Sequence, residues 1–191
     1  MKNKIKKIAR ESLDAEKKFF DADENIESIG KVVSMLIRCV EDGGKVLVFG
    51  NGGSAADSQH MAAEFVVRFE KERAAFPCIA LTTDTSILTA ASNDYSFDDV
   101  FARQVEALAG PKDAVVAIST SGNSGNVING ALAAKGKKAS VIALTGNGGG
   151  RLAEKADISV IVDEEMTARI QEIHVTVIHI ICKMVEEALS L

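Results

Sequence analysis

A repeated alternation of short apolar runs with longer helical stretches constrains this chain more than any other feature. The runs are Val46–Phe49, Cys78–Leu81, Val115–Ile118, Ser140–Leu144 and Ile158–Val162. Between them lie stretches of helical character, roughly Ser54–Phe69, Ser96–Leu108 and Asn126–Lys135. Most of the runs are apolar without a break, as strands buried on both faces are. Strand–helix alternation implies right-handed crossovers and a parallel sheet, so the fold class is α/β. Ahead of the first run, Ile26, Ile29, Val32, Val33, Leu36, Ile37 and Val40 follow the three-four spacing of a helix that Asp42-Gly43-Gly44 ends. Ile5 to Phe20 reads as a second helix, set off by Asp21 to Glu24. The chain is expected to form one domain over residues 1–191, with a helical hairpin (1–42) and an α/β core (43–191).

Two of the runs lead into polar loops. Val46–Phe49 is followed by Gly50-Asn51-Gly52-Gly53-Ser54, and Val115–Ile118 by Ser119-Thr120-Ser121-Gly122-Asn123-Ser124. In a parallel sheet such loops share one edge, outside the carboxyl ends of the strands. Glycines let backbone N–H groups approach an anion, and the following helix points its positive end at it. Serine hydroxyls add donors for phosphate oxygens. Together the loops suggest a phosphorylated, polyhydroxylated small molecule. Gly50 to Ala55 also fits a loose G-x-G-x-x-A dinucleotide pattern. Its ribose partner would be Asp84, which lies well beyond the usual spacing of about 20 residues. No lysine follows either loop in the P-loop position, so a nucleoside triphosphate site has no support.

The helix after the first loop carries Asp57, His60 and Glu64, with His60 and Glu64 on one face. An imidazole and a carboxylate one turn apart can bind a divalent metal or share acid–base work, whereas pairing of Glu64 with Arg68 would make the site an ordinary surface ion pair. The last helix, near Thr167 to Leu189, holds two of the chain's three histidines, His174 and His179, together with Gln171. Helical geometry places Gln171 and His179 about 80° apart, close enough to share one ligand. This helix is apolar around nearly its whole circumference, which requires burial and suggests burial between subunits. Asn93-Asp94 reads as a helix end, and Gly146–Gly150 as a turn near the cleft.

Composition excludes several classes. Net charge is −5 with no long basic run, which argues against a nucleic-acid surface. Lys2, Lys4, Lys6 and Lys7 read as the solvated face of a helix. No apolar run is long enough to span a bilayer, so no membrane partner is expected. Cys39, Cys78 and Cys182 are odd in number and lie among apolar neighbours, which speaks for buried thiols in a reducing compartment. With no signal-peptide core at the N-terminus, the cytoplasm is the expected location.

The residues Gly50–Ser54, Asp57, His60, Glu64, Asn93-Asp94, Ser119–Ser124, Arg169–His174 and His179 together make the whole chain resemble the sugar isomerase domain proteins, and among them the phosphoheptose isomerases. The resemblance implies a three-layer fold, a five-stranded parallel sheet flanked by helices, assembled as a homotetramer with sites between subunits. It implies that Ser119, Ser121 and Ser124, with Thr120, bind phosphate. Asn51, Gly52, Gly53, Ser54, Asn93, Asp94, Glu64 and Gln171 would meet the sugar. It further implies Glu64 and His179 as base and acid, and zinc held by His60, Glu64, Gln171 and His179. The implied reaction converts sedoheptulose 7-phosphate to D-glycero-D-manno-heptose 7-phosphate through an enediol, for bacterial surface heptose. Alternatives within the family are another sugar-phosphate isomerase and a non-enzymatic regulator that binds a replication initiator protein. The regulator lacks matches to Glu64 and His179, so their presence favours the enzyme. The stretch Asp163–Met166 is the part least like the family pattern.

Overall fold

The computed structural model describes residues 1–190. Two helices open the chain, α1 (Lys2–Phe20) and α2 (Asp23–Glu41), followed by β1 (Val46–Gly50) and α3 (Gly53–Val66). The core continues with β2 (Cys78–Ala80), α4 (Thr85–Asp94), a 3-10 turn (Phe97–Asp99) and α5 (Val100–Leu108). It finishes with β3 (Ala114–Ser119), α6 (Gly125–Gly136), β4 (Ser140–Gly146), α7 (Gly150–Ala153), β5 (Ile158–Val162) and α8 (Thr167–Leu189). The five strands form one sheet in the order β2-β1-β3-β4-β5, and every neighbouring pair is parallel.

Side chains on each central strand alternate between two cores. Val46 and Val48 of β1, Ala114, Val116 and Ile118 of β3, and Ile142 and Leu144 of β4 face one core, with α2, α3 and α8. Leu47 and Phe49, Val115 and Ala117, and Val141 and Ala143 face the other, with α5 and α6. The chain thus has three layers with the sheet in the middle. On the second face the rings of Phe49 and Phe101 stack at 4.9 Å, and α6 approaches so closely that a Cβ at Gly130 would collide with Phe49. On the first face a Cβ at Gly146 would collide with Ile170, which marks how near α8 runs to the end of β4.

Three details differ from the sequence reading. Residues 85–94 form α4, whose end at Asn93-Asp94 the sequence marks but whose body the polar composition after Leu81 conceals. Its start is fixed by Asp84, whose side chain accepts from the Ile87 N–H. The helix expected from Ser96 begins as a 3-10 turn with Ser96 as its cap, and becomes α5 only at Val100. The helix expected to run to Phe69 ends at Val66. The last helix is apolar on most sides because α1, α2 and α3 all pack on it. Ser12 donates to Glu172 at 2.7 Å, and Thr176 donates to Glu16 at 3.2 Å. Among the described residues no helix is long and apolar enough to cross a membrane.

One buried carboxylate ties the sheet's first face together. Glu186 of α8 is 1% exposed. It accepts from the backbone N–H groups of Phe69, Glu70 and Lys71 at 2.7–2.8 Å and from Arg73 Nε at 3.1 Å. Burial opposes its charge, but these donors outweigh burial and hold the carboxyl down at about 2. A carboxyl depressed in the folded state stabilises the fold fully above its ordinary pKa, and that contribution fades as pH falls towards the folded value. We therefore expect denaturant midpoints to fall between about pH 5 and pH 2, and Glu186→Gln to flatten that decline while lowering stability at neutral pH. Urea unfolding followed by circular dichroism across that range checks it.

Candidate active site

The strand order reverses beside β1. Its crossover to β2 runs one way, while β3 lies on its other side. In open α/β sheets ligands bind at such a switch point, outside the carboxyl ends of the strands. The two strands there are β1 and β3, and these are the strands that carry the Gly-rich and Ser-rich loops.

The loops are locked to each other. The Asn51 and Asn126 amides pair reciprocally, each Nδ2 donating to the other's Oδ1 at 2.8 Å. Asn51 thereby binds the first loop to the first turn of α6, which follows the second loop. Gly52 sits at φ +56°, a backbone conformation that side chains rarely adopt. The next residue, Gly53, leaves room for the Gln171 amide of α8, which a Cβ there would displace. Ser54 is buried in the first turn of α3.

The second loop is held by hydrogen bonds among its own residues. Ser119 and Ser124 hydroxyls lie 3.0 Å apart, and the Ser121 hydroxyl accepts from the Asn123 N–H at 3.1 Å. Ser124 precedes α6 without capping it through its side chain, so the opening N–H groups of that helix remain for an anion. Thr120 is half-buried beside them. The loop is buttressed by a third one, the Gly-rich turn that the sequence places near the cleft. Leu152 N–H donates to the Gly122 carbonyl, Arg151 N–H donates to Asn123 Oδ1, and Gly149 lies so close that a Cβ on Gly122 would meet it.

The titratable residues meet between α3 and α8. His60 Nε2 and His179 Nε2 are 2.8 Å apart, so one imidazole donates and the other accepts. His60 Nε2 is 3.7 Å from Glu64 Oε1. Arg68 pairs instead with Glu72 at 3.8 Å, which leaves Glu64 free of the surface ion pair that the sequence allowed. The Phe69 ring lies 5.6 Å from the His179 ring, a contact with no sequence signal. Asp57, one turn before His60, is buried with Oδ2 unpartnered, and burial pushes its carboxyl up to about 6. His174 is fully buried, with Nε2 donating to the Thr145 carbonyl at 3.1 Å, and burial lowers its pKa to about 4. It packs under the sheet edge rather than with His179. Asn93 and Asp94 lie exposed at the end of α4, hydrogen-bonded to each other at 2.8 Å.

Among the described residues of the single chain, no three His, Cys, Asp or Glu side chains converge as a metal centre. What converges is the imidazole pair, with Glu64 a step farther away, while the Gln171 amide packs against Gly53 at the start of α3. Two imidazole nitrogens, a carboxylate and an amide oxygen are donors that zinc accepts, so the residues suit the ion in type.

Against known proteins, a family model described as the SIS domain matches residues 14–146. The chain is 52% identical over 187 residues to the phosphoheptose isomerase of Aquifex aeolicus, which covers 98% of this chain and 97% of the relative. It is 46% identical over 189 residues to that of Thermodesulfovibrio yellowstonii, covering 99% and 93%. Among solved structures, phosphoheptose isomerase GmhA from Neisseria gonorrhoeae superposes with a TM-score of 0.91 at 41% identity, covering 97% of this chain and 98% of that one. A phosphoheptose isomerase from Francisella tularensis gives 0.92 at 36% identity, covering 97% of each chain. With its parallel five-stranded sheet, its two loops at the switch point and this likeness along nearly its full length, the chain belongs to the SIS domain family, in the branch of the phosphoheptose isomerases.

Proposed function

We propose that this protein is an aldose–ketose isomerase that converts sedoheptulose 7-phosphate to D-glycero-D-manno-heptose 7-phosphate. One observation carries the reading. A carboxylate and an imidazole pair, Glu64 with His60 and His179, meet between α3 and α8 in a chain that also carries two phosphate-type loops and is 52% identical to a phosphoheptose isomerase. The regulator alternative is not favoured, because the acid–base residues are present and the relatives of about this identity are named as isomerases.

The reaction moves one proton between adjacent carbons. Glu64 takes the proton from C1 of the ketose and returns it to C2. His179 delivers a proton to the C2 oxygen and recovers one from the C1 hydroxyl, passing through a neutral enediol. No atom is gained or lost. The phosphate is held by Ser119, Thr120, Ser121 and Ser124 at the start of α6, and the sugar hydroxyls by Asn51, Gly52, Gly53, Ser54, Asn93, Asp94 and Gln171. Held at its far end, the sugar presents its reacting carbons to α3 and α8, and orientation of that kind lowers the barrier by fixing geometry in advance. His60, Glu64, Gln171 and His179 would hold zinc, which when bound polarises a carbonyl and stabilises charge on the enediolate oxygens. A carboxylate committed to a metal is a weaker base, so the two roles of Glu64 compete.

The same reading makes the protein a homotetramer with sites between subunits. In one chain His60 is 41% exposed, and Ile5, Ile8 and Leu13 of α1 and Met184 of α8 present apolar surface. It also places the protein in the cytoplasm, in keeping with its three free thiols at Cys39, Cys78 and Cys182.

Incubation with sedoheptulose 7-phosphate and identification of the product tests the activity. Glu64→Gln keeps the side chain's shape but cannot accept a proton, so turnover should fall by about 10²-fold or more with little change in substrate affinity. Near-wild-type turnover in a folded variant would remove Glu64 as the base. Ser121→Ala should weaken substrate binding by about 1.5–3 kcal/mol, the worth of a hydrogen bond to a charged group. Calorimetric titration reads this, and an unchanged dissociation constant would move the phosphate elsewhere. Light scattering should give a tetramer at micromolar concentration, and a monomer would rule out shared sites.

A further inference from the structure

Beyond the residues that would touch substrate, one buried group stands out. Arg73 lies in the segment after α3, and its side chain is 4% exposed. Its guanidinium makes four hydrogen bonds. Nη2 donates to the Glu64 carbonyl at 2.7 Å, and Nη1 donates to the carbonyls of Phe65 at 2.8 Å and Ala74 at 2.9 Å. Nε donates to Glu186 Oε1 at 3.1 Å, and the guanidinium carbon stacks 3.8 Å over the Phe76 ring. The last carbonyls of a helix have no partners within it, and a cation there also meets the negative end of the helix dipole. Arg73 therefore closes the end of α3 at the very residue proposed as the base.

The other half of the arrangement acts on the acid. Glu186 lies seven residues after His179 on α8, which puts both on one side of that helix. Its carboxylate takes the Phe69 N–H at 2.8 Å and the next two N–H groups, and so fixes the backbone of the segment. Fixed in this way, Phe69 turns its ring onto the His179 imidazole at 5.6 Å. One ion pair thus reaches Glu64 through Arg73 and His179 through Glu186 and Phe69. A structural pair need only join two helices. This one ends on the backbone of one proposed catalytic residue and on a ring packed against the other.

We infer that Arg73, Glu186 and Phe69 are positioning residues for the isomerisation, a buried strap that holds Glu64 and His179 at their working separation. The inference rests on the proposed roles of Glu64 and His179. It predicts a loss in the chemical step rather than in binding, because the phosphate loops lie on β1 and β3, away from the strap.

The test uses the assembled, purified protein with sedoheptulose 7-phosphate, measuring kcat and KM separately. Arg73→Lys keeps the charge but cannot reach three carbonyls and Glu186 together. Phe69→Leu leaves its backbone bond to Glu186 and removes only the ring. Each should lower kcat by about tenfold or more while KM stays within about threefold, since a misplaced reacting group costs on that scale. Phe69→Tyr, which restores the ring, should recover kcat to within about twofold of wild type. If Arg73→Lys does not fold, the Phe69 pair decides. A kcat near wild type in the folded variants, or a loss confined to KM or to thermal stability, overturns the strap. Glu64→Gln is run alongside. If it retains turnover, the assignment of the base fails, whereas its loss together with normal strap variants overturns the strap alone.

Discussion

The parallel pairing of β1 with β3 is the constraint on which the rest of the molecule depends. Val46 to Gly50 run in register beside Ala114 to Ile118, and the crossover to β2 leaves in the opposite direction. Because both strands point the same way, the Gly-rich and Ser-rich loops must emerge at one edge, side by side. Each strand is buried on both faces, so neither loop can shift by a single residue without turning a whole strand inside out. The register therefore sets the separation of the loops, and the Asn51–Asn126 pair finishes the work with two reciprocal hydrogen bonds. Two loops drawn from different crossovers become as rigid as the sheet beneath them.

Rigidity at the loops leaves the proposed acid–base residues to be positioned separately. They come from helices, Glu64 and His60 from α3 and His179 from α8, which lie on the same face of the sheet. Small apolar residues let these helices approach. Gly53 accommodates Gln171, and Gly146 accommodates Ile170, so α8 presses onto both the first loop and the end of β4. Apolar contact fixes distance but tolerates sliding and rotation. Directional hydrogen bonds do not, and the orientation of the imidazole pair depends on bonds that run between the elements.

This division explains what was legible in the sequence. Strand runs show as local apolar blocks, and loops after strands show as local clusters of Gly, Asn and Ser, so the sheet and its edge can be read from neighbours in the chain. The spacing of His60 and Glu64 also shows, because helix geometry converts three and four residues into one face. Partners from distant segments do not show. Nothing near Asn126 points to Asn51, nothing near Phe69 points to His179, and Gly149 gives no sign that it supports Gly122. Helix α4 was hidden for a different reason. Its sequence carries the Ser, Thr and Asn that also mark turns, and only the Asp84 cap and the packing of Ala91 against Leu81 and Phe101 decide for a helix. His174 shows the converse limit. Its spacing sets it near Gln171 and His179 in number, yet the rotation of α8 sends it into the core, where burial keeps it neutral.

A buried ion pair is an expensive way to join two helices, since desolvating both charges offsets most of their attraction. An aliphatic pair in the same space would hold α3 and the following segment to α8 at lower cost. What it would not supply is direction. The Glu186 carboxylate takes four donors from one short segment, and the Arg73 guanidinium gives to three carbonyls at the end of α3 and its turn. Every bond fixes an angle as well as a distance, and the sum specifies how α3 ends relative to α8. That specification matters only where something across the helices must be aligned, and what lies across them is Glu64 on one side and the His60–His179 contact on the other. A polar strap placed there, between helices packed mainly through apolar side chains, is the arrangement expected when orientation rather than cohesion is the quantity under constraint.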